Sequence, residues 1–222
     1  MILGKRLACM HAHHSNIHYI DEAFSPYEVE LVHFVDPGLM SRLTHDLSFQ
    51  KEQAGMKIAE QINWMESCQA DGILLTCTNY IALLQEEHVT SKLPIFKIDE
   101  PFFEALCGVT EPQTIFFSNP GTVKGTMDRL QQYAAIMGKT LPINIHVLEG
   151  TFDLMMKGKT EQYNEKIAEY IMLYRQTSQD ILSVGQLSMY DGAKQTGLEI
   201  INPLDTLVKP IVRELGLNKY QK

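Results

Sequence analysis

The 222-residue sequence contains no run of about 18 apolar residues, so it offers no candidate membrane-spanning helix. It has only four cysteines, Cys9, Cys68, Cys77 and Cys107, with neither CxxC spacing nor the density of a disulfide scaffold. Reduced thiols in a cytoplasmic setting are the expectation. Basic clusters are missing as well. Lys and Arg number 19 against 27 Asp and Glu, giving a net charge of −8, and they stand singly along the chain. No basic stripe matches a phosphate backbone, so neither nucleic acid nor a membrane is expected as a partner. The opening MILGKRLACMHAHH has no apolar stretch long enough for an export signal, because Lys5 and Arg6 interrupt it.

What remains is an ordinary globular composition. At 45% hydrophobic and 21% charged residues, the chain can build a core without staples, as one large domain or two small ones. Short apolar runs bounded by turn residues recur as KRLACMH, VELVHFVD, GILLTCT, LPIFKID, TIFFSN, NIHVLEG, DILSVGQ and LEIINP, which read as eight strands. Between them, residues 51–69, 79–88, 123–138, 161–179 and 204–217 carry apolar positions at three- and four-residue steps, the period of a helix. Alternation of strand and helix predicts an α/β fold with parallel sheets covered on both faces.

The sequence also repeats itself. Lys57-Ile-Ala-Glu-Gln-Ile62 recurs as Lys166-Ile-Ala-Glu-Tyr-Ile171, an offset of 166 − 57 = 109, and an Asp stands fourteen residues after each Lys, at Asp71 and Asp180. Two related halves follow: residues 1–99 with 204–222, and residues 100–203. Carried forward, the offset sets Cys77 opposite Gln186 and Asn79 opposite Ser188. Carried back, it sets the loop His11–Ser15 opposite Pro120–Lys124.

Ligands of open parallel sheets sit beyond the carboxyl ends of the strands, so residues just after each apolar run are the candidates. Cys77 ends GILLTC and precedes Thr78 and Asn79, good caps for a following helix. Backbone N–H groups there favour a thiolate, although a small buried hydrophobe is the plain alternative. Cys9, Cys68 and Cys107 read as core or surface. His11, His13 and His14 suggest a metal pair, but past residue 50 only His88 and His146 follow, and no ligand set is completed; metal is not expected. Ser118, Asn119 and Thr122 form a turn with hydroxyl, amide and N–H groups to offer an anion. Gln186 and Ser188 hold the matching place in VGQLSM, suited to binding and not to acid or base work.

With these residues in view, the chain resembles the aspartate/glutamate/hydantoin racemase superfamily over nearly its whole length. The features appear in order: HFVDPGL with Asp36, GILLTCTNY, KIDEPFFEAL, FFSNPGT, GTFDLMMKG and VGQLSM followed by NPLDTLV. The resemblance implies two flavodoxin-like halves related by pseudo-twofold symmetry. It also implies cofactor-independent chemistry at the α-carbon of a small carboxylate, amino acid or hydantoin-like substrate, in a cleft between the halves.

Residue by residue, Cys77 matches the first catalytic cysteine and Thr78 and Asn79 the adjoining substrate positions. Ser118, Asn119 and Thr122 match the second half's substrate loop; His11, Ser15, Gln186 and Ser188 complete the expected binding set. Gln186 stands where a second catalytic cysteine belongs, so a single-thiol decarboxylase or cis–trans isomerase of the same superfamily is an alternative to a racemase. A metal-dependent hydrolase using the histidines, or a non-catalytic binding protein with Cys77 buried, are readings from other classes. A homodimer is compatible with the sequence.

Overall fold

The computed structural model describes residues 4–220. It divides into two compact units, Met1–Ile98 with Leu207–Lys222, and Asp99–Thr206. Each is a parallel α/β unit.

The first unit contains β1 (Lys5–His11), α1 (Ile17–Phe24), β2 (Val29–Val35), α2 (Pro37–His45), α3 (Lys51–Ser67), β3 (Gly72–Leu75), α4 (Thr78–Leu83) and β4 (Ile95–Lys97). Its sheet has the order β2-β1-β3-β4, all parallel. The second unit contains α5 (Asp99–Gly108), β5 (Gln113–Phe117), α6 (Pro120–Ile136), β6 (Ile143–Val147), α7 (Thr151–Met156), α8 (Thr160–Arg175), β7 (Ile181–Val184) and α9 (Tyr190–Gln195), with the parallel order β6-β5-β7. A last helix, α10 (Pro203–Leu215), begins in the second unit and ends in the first.

The strands read as apolar throughout are the ones covered on both faces. All four residues of β3 and all five of β5 are buried. In β5 the alternation of a strand divides them: Phe116 packs with Tyr163, Ile167 and Ile171 of α8, while Ile115 and Phe117 pack with Phe102, Phe103 and Leu130 of α5 and α6. On α3 and α8 the repeated motif buries equivalent positions, Ile58 and Ile62 in one and Ile167 and Ile171 in the other. Filling such sites with aliphatic side chains contributes roughly 1.5–3 kcal/mol each.

Three expectations need correction. Seven strands are named among the described residues, not eight: the LEIINP segment makes one isolated bridge, Ser183 to Ile201. The cause is Asn202, whose Oδ1 accepts from Leu204 and Asp205 N and so starts α10 at once. The helix expected over 79–88 stops at Leu83, because Leu84 turns to extended backbone before a separate 3-10 turn, Glu86–His88.

The third concerns the repeat. β3 and β7 are 181 − 72 = 109 residues apart, as expected. However, Met10 pairs with Leu75 whereas Phe116 pairs with Val184, so β1 and β5 correspond at 116 − 10 = 106. Likewise Leu7 pairs with Leu31 and Gln113 with Ile143, so β2 and β6 correspond at 143 − 31 = 112. The loop after β1 therefore matches residues three positions earlier than a constant offset gives: His11 aligns with Phe117, not Pro120. The connection from β5 to β7 is three residues longer than that from β1 to β3, which is why one offset cannot serve both ends.

Candidate functional site

In the first unit the end of β3 presents Cys77. This residue is half-buried and extended, at the N-cap of α4, with Thr78 and Asn79 in the first two helical positions. At six residues α4 is too short for a strong macrodipole. One neighbour of Cys77 is Tyr80. Burial holds its hydroxyl well above the usual phenol range, assisted by the charges of Asp36 and Cys77. That hydroxyl donates to the backbone oxygen of Asp36.

Asp36 itself is tied down. Its Oδ1 caps α2 by accepting from Gly38 N at 3.0 Å and Leu39 N at 3.1 Å, and its Oδ2 accepts from Gln61 Nε2 at 2.6 Å. The HFVDPGL motif thus serves to join β2, α2, α3 and α4.

His11 is the last residue of β1 and fully buried, and does not belong to the loop that follows. Its Nδ1 lies 2.9 Å from Thr76 Oγ1 and its Nε2 lies 2.8 Å from His33 Nδ1. Both ring nitrogens are committed, so the expectation of direct substrate contact by His11 is set aside. Burial lowers its pKa to about 4, with the neighbouring His33 adding to the effect and Asp21 opposing it. The loop proper is held by His13, whose Nδ1 accepts from Ser15 N at 3.2 Å and meets Ser15 Oγ at 2.8 Å. Among the described residues, no group of three or more His, Cys, Asp or Glu side chains is arranged to hold a metal ion.

In the second unit the five expected substrate-binding residues, Ser118, Asn119, Thr122, Gln186 and Ser188, fall into one hydrogen-bonded cluster. Gln186 Oε1 accepts three times: from Ser118 N at 2.7 Å, Asn119 N at 2.9 Å and Ser118 Oγ at 3.0 Å. Backbone N–H groups only donate, so the accepting atom must be the amide oxygen. Tyr163 Oη donates to Ser118 Oγ at 2.8 Å and lies 3.0 Å from Ser188 Oγ. Since Tyr163 gives its proton to Ser118, the bond from Ser188 must run the other way. Asn119 Oδ1 accepts from Gly121 N at 2.9 Å, and the buried Thr122 turns its hydroxyl to Asn119 O at 2.9 Å.

Two consequences follow. With its oxygen filled by three donors, Gln186 has its Nε2 group to offer a substrate and not its oxygen. The corrected 106 offset also pairs His13 with Asn119 and Ser15 with Gly121, and the structure bears this out, because each cap accepts from the N–H two residues on.

Sequence reasoning missed Thr76, His33, Asp21 and Tyr163. Tyr163 lies within the repeated helix, opposite Ala54 at the 109 offset, and a large hydroxyl-bearing ring in place of a methyl was a readable signal. The other three have no signal along the chain, because they meet only when β1, β2, β3 and α1 assemble.

No family model matches the sequence, and no curated protein does. Solved structures match along nearly the full length. Aspartate racemase of Picrophilus torridus is 14% identical with a TM-score of 0.73, covering 98% of this chain and 96% of that one. Glutamate racemase of Campylobacter jejuni subsp. jejuni is 11% identical with a TM-score of 0.68, covering 98% and 88%. Allantoin racemase of Klebsiella pneumoniae is 15% identical with a TM-score of 0.63, covering 97% and 90%. At such identities the likeness is one of fold: the chain shares the fold of these aspartate, glutamate and allantoin racemases.

Proposed function

We propose that this chain is a cofactor-independent isomerase that acts at the α-carbon of a small carboxylic acid, amino acid or hydantoin-like substrate, with Cys77 exchanging the proton. The observation that carries this reading is the place of Cys77: a half-exposed thiol at the carboxyl end of a central strand, on a racemase fold. A thiolate there abstracts the α-proton, and polar groups stabilise the enolate-like species that results. Thr78 and Asn79 are the proposed substrate-binding groups of the first unit, beside Cys77. Ser118, Asn119, Ser188 and the Nε2 group of Gln186 are the proposed substrate-binding groups of the second.

Gln186 favours a one-thiol version of this chemistry. An amide neither takes nor gives a proton near neutral pH, and this one is held by three donors. Decarboxylation with protonation on one face, and cis–trans isomerisation through reversible thiolate addition, each need a single thiol. The deciding experiment incubates the protein with small acids, amino acids and hydantoins in deuterated water and follows the carbon-bound proton by NMR. Exchange or conversion that disappears in Cys77→Ser supports the proposal. Activity that survives Cys77→Ser removes the thiol from the mechanism.

A further inference from the structure

The strand end that carries Cys77 is backed by a row of polar side chains that the fold itself does not require. Thr76 Oγ1 meets His11 Nδ1 at 2.9 Å, His11 Nε2 meets His33 Nδ1 at 2.8 Å, and His33 Nε2 meets Asp21 Oδ1 at 2.9 Å. The second unit shows what the same positions hold when no such row is needed. Residue 11 corresponds to Phe117, residue 76 to Gly185 and residue 33 to Ile145, by the register given above. There the Phe117 ring lies directly over Gly185, an apolar contact in place of a hydrogen bond. A buried, hydrogen-bonded imidazole has therefore been kept in the half with the cysteine, at a site where an aromatic hydrocarbon packs well in the other half.

The order of protons along the row follows from donor and acceptor rules. A carboxylate only accepts, so His33 Nε2 carries a hydrogen toward Asp21. With His33 neutral, its Nδ1 accepts, His11 Nε2 donates, and the bare His11 Nδ1 accepts from the Thr76 hydroxyl. If His33 takes a second proton, both its nitrogens donate. His11 must then accept at Nε2 and carry its hydrogen on Nδ1, and Thr76 turns its hydroxyl proton to Met10 O, 3.0 Å away. His11 stays neutral in both states, in keeping with its burial. Of the titratable groups around the two rings, Asp21 from α1 meets His33 directly, Cys9 stands beside His33 in the strand register, and Cys77 follows Thr76 in the chain after β3. Burial, reinforced by Asp21, keeps the Cys9 thiol protonated.

We infer that His11, backed by His33 and Asp21, is a positioning residue for the Cys77 strand end, setting the direction of the Thr76 hydroxyl according to whether His33 is singly or doubly protonated. The inference rests on the reading of Cys77 as the reacting thiol. It makes the reactivity of that thiol sensitive to the protonation of a histidine two side chains away. Cys77 should show a step of about three- to tenfold in its alkylation rate between the two arrangements of the row, on top of its own ionisation.

Two measurements test this. Long-range nitrogen NMR of the histidine rings across a pH series should show His11 neutral in both arrangements of the row, in the Nε2–H form where His33 is singly protonated and in the Nδ1–H form where it is doubly protonated. A His11 ring that keeps one tautomer overturns the inference. In parallel, the pH profile of iodoacetamide alkylation at Cys77 is compared in wild type, Thr76→Ser, Thr76→Val and the double variant His11→Phe/Thr76→Gly, which installs the pair found in the second unit. The step should persist with Ser and vanish with Val and the double variant. Thr76→Val is close in shape to threonine and tests the hydroxyl alone. A reactive Cys77 whose profile is the same in all four proteins overturns the positioning role and leaves the proposed function standing. A Cys77 that does not react at any pH overturns the proposed function itself.

Discussion

Gly185 lies beneath the ring of Phe117 so closely that a methyl group added to it would sit 2.4 Å from Phe117 Cε1. Phe117 is fully buried among Phe102, Phe103, Ile115 and Leu130, so the ring has little room to withdraw. Gly185→Ala should therefore destabilise the protein by about 1–3 kcal/mol, the usual cost of overpacking. Urea denaturation measures it, and a variant as stable as wild type would show that the ring moves freely.

The cradle around Gln186 makes a second case. Gln186→Cys leaves the N–H groups of Ser118 and Asn119 without their acceptor, at a cost of about 1–3 kcal/mol. No gain in proton exchange is expected from it. Gln186→Glu keeps an oxygen in place for all three donors and strengthens the bonds by charge, so the fold should hold at neutral pH while anionic substrates bind more weakly. A Gln186→Cys protein with faster racemisation of an identified substrate would end the one-thiol reading.

The His11 ring gives stability a definite pH dependence. Its pKa is about 4 in the fold against 6.5 for an ordinary histidine, so between those values the unfolded chain binds a proton that the folded chain does not. Acid therefore favours unfolding in this window, by up to about 1.4 kcal/mol for each pH unit crossed, and above pH 6.5 the contribution is constant. Denaturation midpoints of wild type should fall more steeply from pH 6.5 to 4 than those of His11→Phe. Parallel curves would show that His11 protonates freely in the fold.

Among the thiols, Cys77 should be alkylated first. Burial pushes the thiols of Cys9 and Cys107 up, and for Cys9 the charge of Asp21 adds to this. Cys68 is partly exposed but sits at the end of α3, with its Sγ turned to Trp64 O at 3.6 Å. Peptide mapping after brief iodoacetamide treatment reads the order, and faster labelling at Cys68 would count against Cys77 as the reactive group.

The repeat and the strand ends were legible in the sequence because each rests on local pattern. Continuous apolar runs mark strands covered on both faces, and the Lys-Ile-Ala-Glu motif marks one helix face twice. Cys77 and Gln186 could be paired because nothing is inserted between the repeated helix and the strand after it. The loop after β1 could not be aligned by the same number, since three extra residues lie between β5 and β7, and only strand register reveals them. The helix after Cys77 was read too long because its apolar spacing continues past Leu83, whereas the break at Leu84 is a matter of backbone angle. The acceptor role of Gln186 toward its own loop, and the meeting of Thr76, His11, His33 and Asp21, depend on contacts between segments far apart in the chain, which periodicity does not encode.

The last helix carries a consequence for synthesis. Leu215 of α10 packs near Gly72 of β3, and beyond it Asn218 O accepts from Glu28 N while Lys219 bridges to Tyr27. The first unit is thus assembled from two separate stretches of chain, whereas the second is a single stretch, Asp99–Thr206. On the ribosome, where segments fold as they emerge, the second unit has its whole sequence available before the first has its closing strand-edge contacts. Of the two halves, the one bearing the cysteine is therefore the later to be completed.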